Sequence, residues 1–178
     1  TRDSDKLTAL LRDKSIDAVM HFAAYIFVGE SVEKPDLYYE NNVAGTLSLL
    51  AAMKAAEVKK IIFSSTCATY AELKNPEPLT ELHAQDPISP YGRSKLMCEQ
   101  IMRDYCATLG FSAVIFRYFN ASGADPENEF GEDHVPETHL VPLAIRAALE
   151  NRPDFVVNGS DFATADGTAV RDYIHVSD

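Results

Sequence analysis

The 178-residue sequence has no tryptophan and eight glycines, the first of which is Gly29. It therefore contains no G-x-G-x-x-G turn, the glycine-rich motif that holds phosphates in many dinucleotide-binding proteins. It also has no apolar run near the roughly 18 residues that a membrane helix needs, and no signal peptide opens it. We expect no membrane partner, and we expect phosphate-binding glycines in a segment that precedes this chain.

Positive charge is scarce as well. Lysine and arginine number 16 against 27 aspartates and glutamates, which gives a net charge of −11 and a pI near 4.8. Such a balance argues against nucleic acid or an anionic membrane surface as a partner. An anionic small ligand remains compatible, because helix N-termini and single arginines bind phosphates on acidic proteins.

Cysteine is the third residue type in short supply. Cys67, Cys98 and Cys106 are odd in number and lack the spacing of metal ligands. Cys98 and Cys106 fall within an apolar helical pattern, which predicts core thiols. We therefore expect no metal site and a reducing, cytoplasmic location.

Apolar runs alternate with helical patterns along the first 120 residues. Helices are predicted over 4–14, 41–56 and 91–109, with Gly110 ending the last one, and strands over 16–22, 59–64 and 112–118. Near-continuous apolar strands are typical of a buried parallel sheet. The order predicts an α/β doubly wound parallel sheet, in which ligands bind outside the carboxyl ends of the strands.

The remaining segments are less regular. Gly29 and Pro35 predict a loop over 28–35, and either Asn41 or Asn42 is expected to cap the helix that follows. Residues 71–90 and 121–139 are predicted loops, 136–149 contains a predicted helix, and short strands are predicted over 155–157 and 170–176. The regular alternation of apolar runs and helical patterns ends near residue 120, so we divide the chain into two domains, 1–122 and 123–178.

Three polar clusters follow predicted strands. Tyr91 and Lys95 are four residues apart, so a helix places both on one face, where a lysine cation favours the phenolate of a nearby tyrosine. Tyr-x-x-x-Lys also arises by chance on helix surfaces. The hydroxyl triplet Ser64-Ser65-Thr66, about 25 residues earlier, makes the combination more specific, and Tyr118-Phe119-Asn120 ends the next strand.

Several further motifs accompany these clusters. They are His21-Phe22-Ala23-Ala24, Val28-Gly29-Glu30-Ser31-Val32, Asn41-Asn42-Val43, Ser89-Pro90-Tyr91-Gly92-Arg93-Ser94-Lys95-Leu96, Arg117-Tyr118-Phe119-Asn120, Gly131-Glu132-Asp133, Asp166-Gly167-Thr168 and Arg171-Asp172-Tyr173-Ile174-His175-Val176. With them the chain resembles the extended short-chain dehydrogenase/reductase family from end to end. Within it, the sequence is most similar to the members that epimerise UDP-hexoses.

The resemblance implies a Rossmann-like domain whose first βαβ unit is missing, followed by part of a smaller UDP-sugar-binding domain. It implies an isomerase that uses NAD to epimerise C4 of UDP-glucose or UDP-galactose through a transient 4-keto sugar. Tyr91 is then the base for the 4-hydroxyl, Lys95 lowers the Tyr91 pKa and binds the nicotinamide ribose, and the Thr66 hydroxyl bridges the sugar 4-oxygen and Tyr91.

The same resemblance implies the binding residues. The cofactor positions are Phe22, Ala23, Ala24, Tyr25, Ile26, Asn41, Ser64, Tyr91, Lys95 and Phe119. The substrate positions are Thr66, Tyr91, Asn120, His139, Leu140, Val156, Val157, Asn158 and Arg171. Arg171 suits a pyrophosphate, because its guanidinium offers a fork of donors. The helices over 41–56 and 91–109 are expected to pair in a homodimer.

The chain departs from the family pattern at three binding positions, and other functions stay open. Ile26 stands where many members have lysine, Asn158 where an aromatic residue is common, and His139 where asparagine is common. Dehydratases of the family carry an Asp-Glu pair after the threonine, whereas Thr66 precedes Cys67-Ala68. Epimerisation of a UDP-N-acetylhexosamine, UDP-pentose or UDP-uronate remains open, as does an inactive nucleotide-sugar-binding fragment.

Overall fold

The structure is a computed structural model that describes residues 2–71, 78–127, 129–151, 155–157 and 159–178. It divides into two compact units, Thr1–Tyr118 and Phe119–Asp178, whereas the division drawn from the sequence follows residue 122. The assignment of the two parts to cofactor and UDP-sugar binding stays a prediction.

The first unit alternates helices and strands. Its elements are α1 (Ser4–Asp13), β1 (Ala18–His21), α2 (Val28–Glu33), α3 (Pro35–Tyr38), a π-helical turn (Tyr39–Ala44), α4 (Gly45–Ala55), β2 (Lys60–Thr66), a 3₁₀ turn (Cys67–Thr69), α5 (Pro90–Leu109) and β3 (Ser112–Tyr118). The three strands form a parallel sheet in the order β1-β2-β3. The predicted parallel α/β architecture is confirmed.

Helices cover one face of this sheet. The core on that face consists of Leu11 from α1, Leu49, Leu50, Ala52 and Met53 from α4, Cys98 and Met102 from α5, Ile61 and Phe63 from β2, and the loop residues Val58 and Phe111. Side chains alternate along a strand, so the neighbouring positions point away from it. There Met20 is 63% exposed, and Val114 and Phe116 are exposed as well. The prediction of a fully buried sheet is therefore wrong for these exposed strand positions.

Helix α5 has well-defined ends. The Ser89 hydroxyl oxygen accepts a hydrogen bond of 3.1 Å from the backbone N–H of Gly92, and Pro90 occupies the first helical position. Gly110 ends the helix at φ +68°, a left-handed conformation that glycine adopts without steric cost. The predicted C-cap is confirmed.

Two predictions between β1 and α4 are wrong. Residues 28–33 form α2 instead of a loop, and only Lys34 separates it from α3, where Pro35 occupies the first position and its missing N–H costs nothing. Asn41 and Asn42 lie inside the π-helical turn and cap no helix start, since the helical path already begins at Pro35.

The second unit contains β4 (Asn120–Ser122), α6 (Leu140–Leu149) and β5 (Tyr173–His175), and its two strands pair in parallel. The predicted helix over 136–149 begins only at Leu140. Before it, the Glu137 carboxylate accepts hydrogen bonds from the backbone N–H groups of Thr138 and His139, which competes with helix formation. The predicted strand over 155–157 is not a strand, and the one over 170–176 shortens to Tyr173–His175.

The structure also shows where the cysteines lie and whether the described helices are suited to span a membrane. All three cysteines are free thiols; Cys98 is fully buried and Cys106 half-buried, which fits the predicted core role of the two. In the part of the chain that the structure describes, none of the helices combines the length and hydropathy of a membrane span. The cytoplasmic location stays a prediction.

The contact between α5 and the 3₁₀ turn yields a first prediction. A Cβ at Gly92 would lie 2.2 Å from the carbonyl oxygen of Ala68 and 2.9 Å from Pro87 Cβ. We expect Gly92→Ala to lower the free energy of unfolding by about 1–3 kcal/mol, measured by urea denaturation of the purified protein.

Gly29 in α2 is the matched control, because a Cβ there meets nothing within 4 Å. Gly29→Ala should leave the unfolding midpoint unchanged or raise it slightly, since alanine favours helix over glycine. Equal unfolding midpoints for Gly92→Ala and the wild type would show that the 3₁₀ turn can move away from the added Cβ without loss of stability.

Candidate active site

The predicted catalytic pair lies on the first turns of α5. Tyr91 and Lys95 are both buried, and Lys95 is only 2% exposed. The Lys95 ammonium donates a hydrogen bond of 2.7 Å to the backbone carbonyl of Ser64 on β2, and it lies 4.9 Å from the centre of the Phe63 ring. The hydrogen bond and the cation–π contact offset part of the cost of removing the ammonium from water.

Thr66, the third predicted catalytic residue, ends β2. Its hydroxyl oxygen accepts a hydrogen bond of 3.1 Å from the backbone N–H of Ala68, and its side chain lies close enough to the Tyr91 phenol to lower the pKa of that group. The close approach of Ala68 to Gly92 holds the strand end against the start of α5. The structure thus brings Thr66, Tyr91 and Lys95 together.

Burial dominates the electrostatics of the pair. It raises the pKa of Tyr91 above the ordinary value of 10.0, while the nearby Thr66 side chain lowers it by less. Burial also lowers the pKa of Lys95 to about 8, so the ammonium stays mostly charged at pH 7. The prediction that the Tyr91 pKa is lowered is wrong for this chain, because loss of water around the phenol has the largest effect.

Asn42 is a functional candidate that sequence reasoning missed. Its Oδ1 accepts a hydrogen bond of 2.8 Å from the backbone N–H of Tyr25, and its Nδ2 donates to the Tyr25 carbonyl and to the Ser94 hydroxyl, both at 3.0 Å. Ser94 in turn donates to the Tyr91 carbonyl at 2.7 Å. Asn42 therefore fastens the segment after β1 to the helix of the catalytic pair.

His21 adds a neutral group beside the lysine. It is buried at the end of β1, with Nε2 3.0 Å from the Thr46 hydroxyl. Burial and the charge of Lys95 lower its pKa to about 4, so it carries no charge at pH 7. Lys95 therefore lies beside an uncharged imidazole.

The predicted cofactor-lining stretch follows β1. Phe22, Tyr25 and Ile26 are 54%, 43% and 42% exposed, Ala23 is exposed and Ala24 half-buried. Exposed apolar side chains at the carboxyl edge of a parallel sheet form a surface that a flat ring system can cover. Asn41, whose Nδ2 donates to Asn42 Oδ1 at 3.1 Å, lies behind them. The residues present therefore fit a dinucleotide.

The predicted substrate positions other than Thr66 and Tyr91 belong to the second unit, as does the predicted cofactor position Phe119. Asn120 Nδ2 donates a hydrogen bond of 2.7 Å to the Asp172 carbonyl, which receives the Asn120 backbone N–H as well. This pairing places Arg171 just before β5. Arg171 is exposed, and so are Phe119, Leu140, Val156 and Val157. Asn158 lies outside the described residues.

His139, another predicted substrate position, is part of a cluster of two histidines and two glutamates. Its Nδ1 lies 2.5 Å from Glu132 and 3.0 Å from Glu137, and its ring centre is 5.0 Å from that of His134. The four potential ligand atoms spread over as much as 4.8 Å. These four residues could together hold a metal ion, so the expectation of no metal site stays a prediction.

The sequence and the fold of the chain match known proteins. The whole chain, residues 1–178, matches the NAD dependent epimerase/dehydratase family. The chain belongs to this family. A UDP-glucose 4-epimerase of Rhizobium meliloti is 54% identical over 177 residues, which are 99% of this chain and 54% of that protein.

Solved structures of the epimerase/dehydratase family have the same fold. UDP-glucose 4-epimerase from Brucella ovis in complex with NAD superposes with a TM-score of 0.92 and 49% identity, covering 99% of this chain and 54% of that one. The enzyme from Bifidobacterium longum in complex with NAD⁺ and UDP gives 0.88 and 42%, covering 98% and 53%. The chain spans about half the length of the curated relatives it matches, and its predicted resemblance is confirmed.

The buried lysine yields a second prediction. Its folded-state pKa of about 8 lies below the ordinary 10.5, so the unfolded chain binds more protons between these two values and stability rises with pH across that window. We expect the wild type to gain about 2–3 kcal/mol relative to Lys95→Met between pH 8 and 10.5, measured by urea denaturation at each pH. Parallel stability curves would contradict the burial of a charged lysine.

Proposed function

We propose that the full-length protein interconverts UDP-glucose and UDP-galactose by NAD-dependent epimerisation at C4. The observation that carries this proposal is the buried Tyr91, with Thr66 near its phenol and a buried, charged Lys95 one helical turn away. Such a set can move a proton to and from a sugar hydroxyl. The named relatives, among them enzymes solved with NAD and with UDP, support the substrate and cofactor classes.

The cofactor has a binding surface in the first unit. In this proposal the segment from Phe22 to Ile26, with Asn41 and Ser64, would hold NAD, and the Lys95 ammonium would bind its nicotinamide ribose. When bound, the oxidised cofactor would supply hydride transfer at C4 and a positive charge that favours the Tyr91 phenolate.

The chain's own residues handle the proton. Tyr91 takes it from the 4-hydroxyl as the alcohol becomes a ketone and returns it when the ketone is reduced. The Thr66 hydroxyl hydrogen-bonds both the sugar 4-oxygen and Tyr91, which keeps the proton path short. In the second unit, Asn120, His139, Leu140, Val156, Val157, Asn158 and Arg171 are proposed to hold the UDP-sugar, with Arg171 on the pyrophosphate.

Removing the phenol tests the assignment of the base. We expect Tyr91→Phe to lower kcat by about 10²–10⁴-fold, the usual contribution of a positioned acid–base group, with UDP-glucose affinity changed little. Turnover is followed as UDP-galactose converted to UDP-glucose, and affinity by calorimetry. Tyr105→Phe is the matched control, because this residue of α5 packs edge-on against Phe111 and not in the predicted site.

Bound cofactor distinguishes an enzyme from a binding protein. Addition of UDP-glucose to the purified full-length protein should raise the absorbance of reduced nicotinamide. A protein that binds UDP-glucose but carries no NAD and shows no turnover would support the inactive nucleotide-sugar-binding alternative. Undiminished kcat in Tyr91→Phe would refute the assigned base.

Dehydration and the epimerisation of other UDP-sugars differ in the catalytic groups that they require. Dehydration needs an additional acid and base after the threonine, and Cys67 and Ala68 carry no carboxyl group there. Epimerisation of UDP-N-acetylhexosamines, UDP-pentoses or UDP-uronates needs the same proton transfer. These substrates are separated from UDP-hexoses by comparing kcat/KM for each.

We also propose that the full-length protein is a homodimer in which α4 and α5 pair with the same helices of a second copy. Leu47 on α4 and Met97 on α5 are 42% and 41% exposed, and exposed apolar side chains on two helices suit a four-helix contact. We expect Met97→Glu to shift the sedimentation of the protein from dimer to monomer. Gln100→Glu, at an exposed position of the same helix that is polar in the wild type, adds the same single negative charge and serves as the charge-matched comparison. A monomeric wild type would refute the dimer.

A further inference from the structure

Helix α5 carries a third buried ionisable residue behind the catalytic pair. Glu99 follows Lys95 by four residues, as Lys95 follows Tyr91, and its side chain is 0% exposed. A carboxylate without water requires hydrogen-bond donors, because an unpaired buried charge is very costly. The donors around Glu99 come from several different elements of the first unit.

Four side chains donate to this carboxylate. Arg117 on β3 approaches with Nη2 at 2.8 Å and Nε at 3.1 Å, the Ser65 hydroxyl on β2 lies at 2.5 Å, Gln85 at 3.0 Å, and Arg103 on the same helix at 3.2 Å. These bonds hold the pKa of Glu99 below its ordinary value although burial raises it. One carboxylate thus joins α5 to β2, to β3 and to the segment that precedes α5.

Arg117 also reaches the far end of the segment that begins with Thr66. Its Nη1 donates a hydrogen bond of 2.9 Å to the Tyr70 hydroxyl, and its guanidinium lies 4.9 Å from the centre of the Tyr70 ring. Ser65 precedes Thr66, and Tyr70 ends the 3₁₀ turn that follows it. The Glu99–Arg117 ion pair therefore contacts residues on both sides of Thr66: Glu99 binds Ser65, and Arg117 binds Tyr70.

Stability alone is a weak reason for such an arrangement. Buried ion pairs are often no more stabilising than apolar side chains of the same volume, and their best attested benefit is a defined position. The distance between the Thr66 hydroxyl and the Tyr91 phenol must stay within hydrogen-bond reach for proton transfer. The carboxylate of Glu99 lies on α5, the helix of Tyr91. Two of its donors are Ser65 on β2, the strand of Thr66, and Arg117 on β3.

We propose that Glu99 and Arg117 are positioning residues that hold Thr66 in register with Tyr91, acting through Ser65 and Tyr70. The proposal rests on the proposed function, in which Thr66 and Tyr91 share the proton path. It assigns a purpose to a network that lies outside every binding position drawn from the sequence.

A double-mutant cycle between Tyr70 and Thr66 tests this link. Tyr70→Phe removes one hydroxyl and keeps the ring under Arg117. We expect it to lower kcat about fivefold to tenfold, the worth of one hydrogen bond, with KM and NAD content nearly unchanged. In a Thr66→Ala background the same change should alter kcat by less than about twofold, because the group being positioned is gone.

The control is Arg103→Gln. Arg103 contacts the same carboxylate from the solvent-exposed end of the network, where its side chain is 54% exposed, and it has no link to Tyr70. Its kcat should stay within about twofold of the wild type. Equal losses in Arg103→Gln and Tyr70→Phe, or additive losses in the cycle, would overturn the positioning role.

A titration separates this proposal from the proposed function. The alkaline phenolate absorbance of the wild type minus that of Tyr91→Phe reports the ionisation of Tyr91 without any turnover. Because the nearby Thr66 side chain lowers the Tyr91 pKa, Tyr70→Phe should raise it. If Tyr70→Phe leaves the Tyr91 pKa unchanged, the positioning role is wrong. If the wild type shows no turnover but Tyr70→Phe raises the Tyr91 pKa as expected, only the epimerase function is wrong.

Discussion

Helix α5 lies so close to the end of β2 that only a glycine fits at position 92, and the candidate site depends on this contact. The Ala68 carbonyl occupies the place of a side chain there. Farther along the helix, Cys98 and Met102 are embedded in the apolar core, and a close-packed interior moves little. The apolar part of α5 therefore fixes the height and rotation at which its polar first turns meet the strand.

That rigid contact explains how one helix buries the side chains of Tyr91, Lys95 and Glu99. Each has a neighbour on β2 or β3: Tyr91 lies near Thr66, Lys95 binds the Ser64 carbonyl, and Glu99 binds Arg117. A chance Tyr-x-x-x-Lys on a helix surface has no such surroundings. Burial of a lysine that stays charged at pH 7 costs stability, and costs of this kind concentrate at functional sites.

Sequence reasoning succeeded where the signal is local. Helix spacing and a terminal glycine predicted α5 and its end at Gly110, and an apolar run predicted β3. It failed where a side chain pairs across the fold: Asn42 binds Tyr25 and Ser94, which are 17 and 52 residues away, and Glu99 binds Ser65 at a separation of 34. A polar residue in a helical pattern looks like a cap or a surface position until its partner is known.

Because burial raises the pKa of Tyr91, its phenol is protonated in the candidate site. With the phenol protonated, the chain alone is prepared for the half of the proposed reaction that gives a proton to the sugar oxygen. The opposite half requires a phenolate, which burial disfavours. Lys95 supplies one nearby positive charge, but its ammonium is directed at the Ser64 carbonyl. In the proposed function, a second positive charge at the carboxyl edge would favour the base form of Tyr91, so the proposal couples proton abstraction to the presence of the oxidised cofactor.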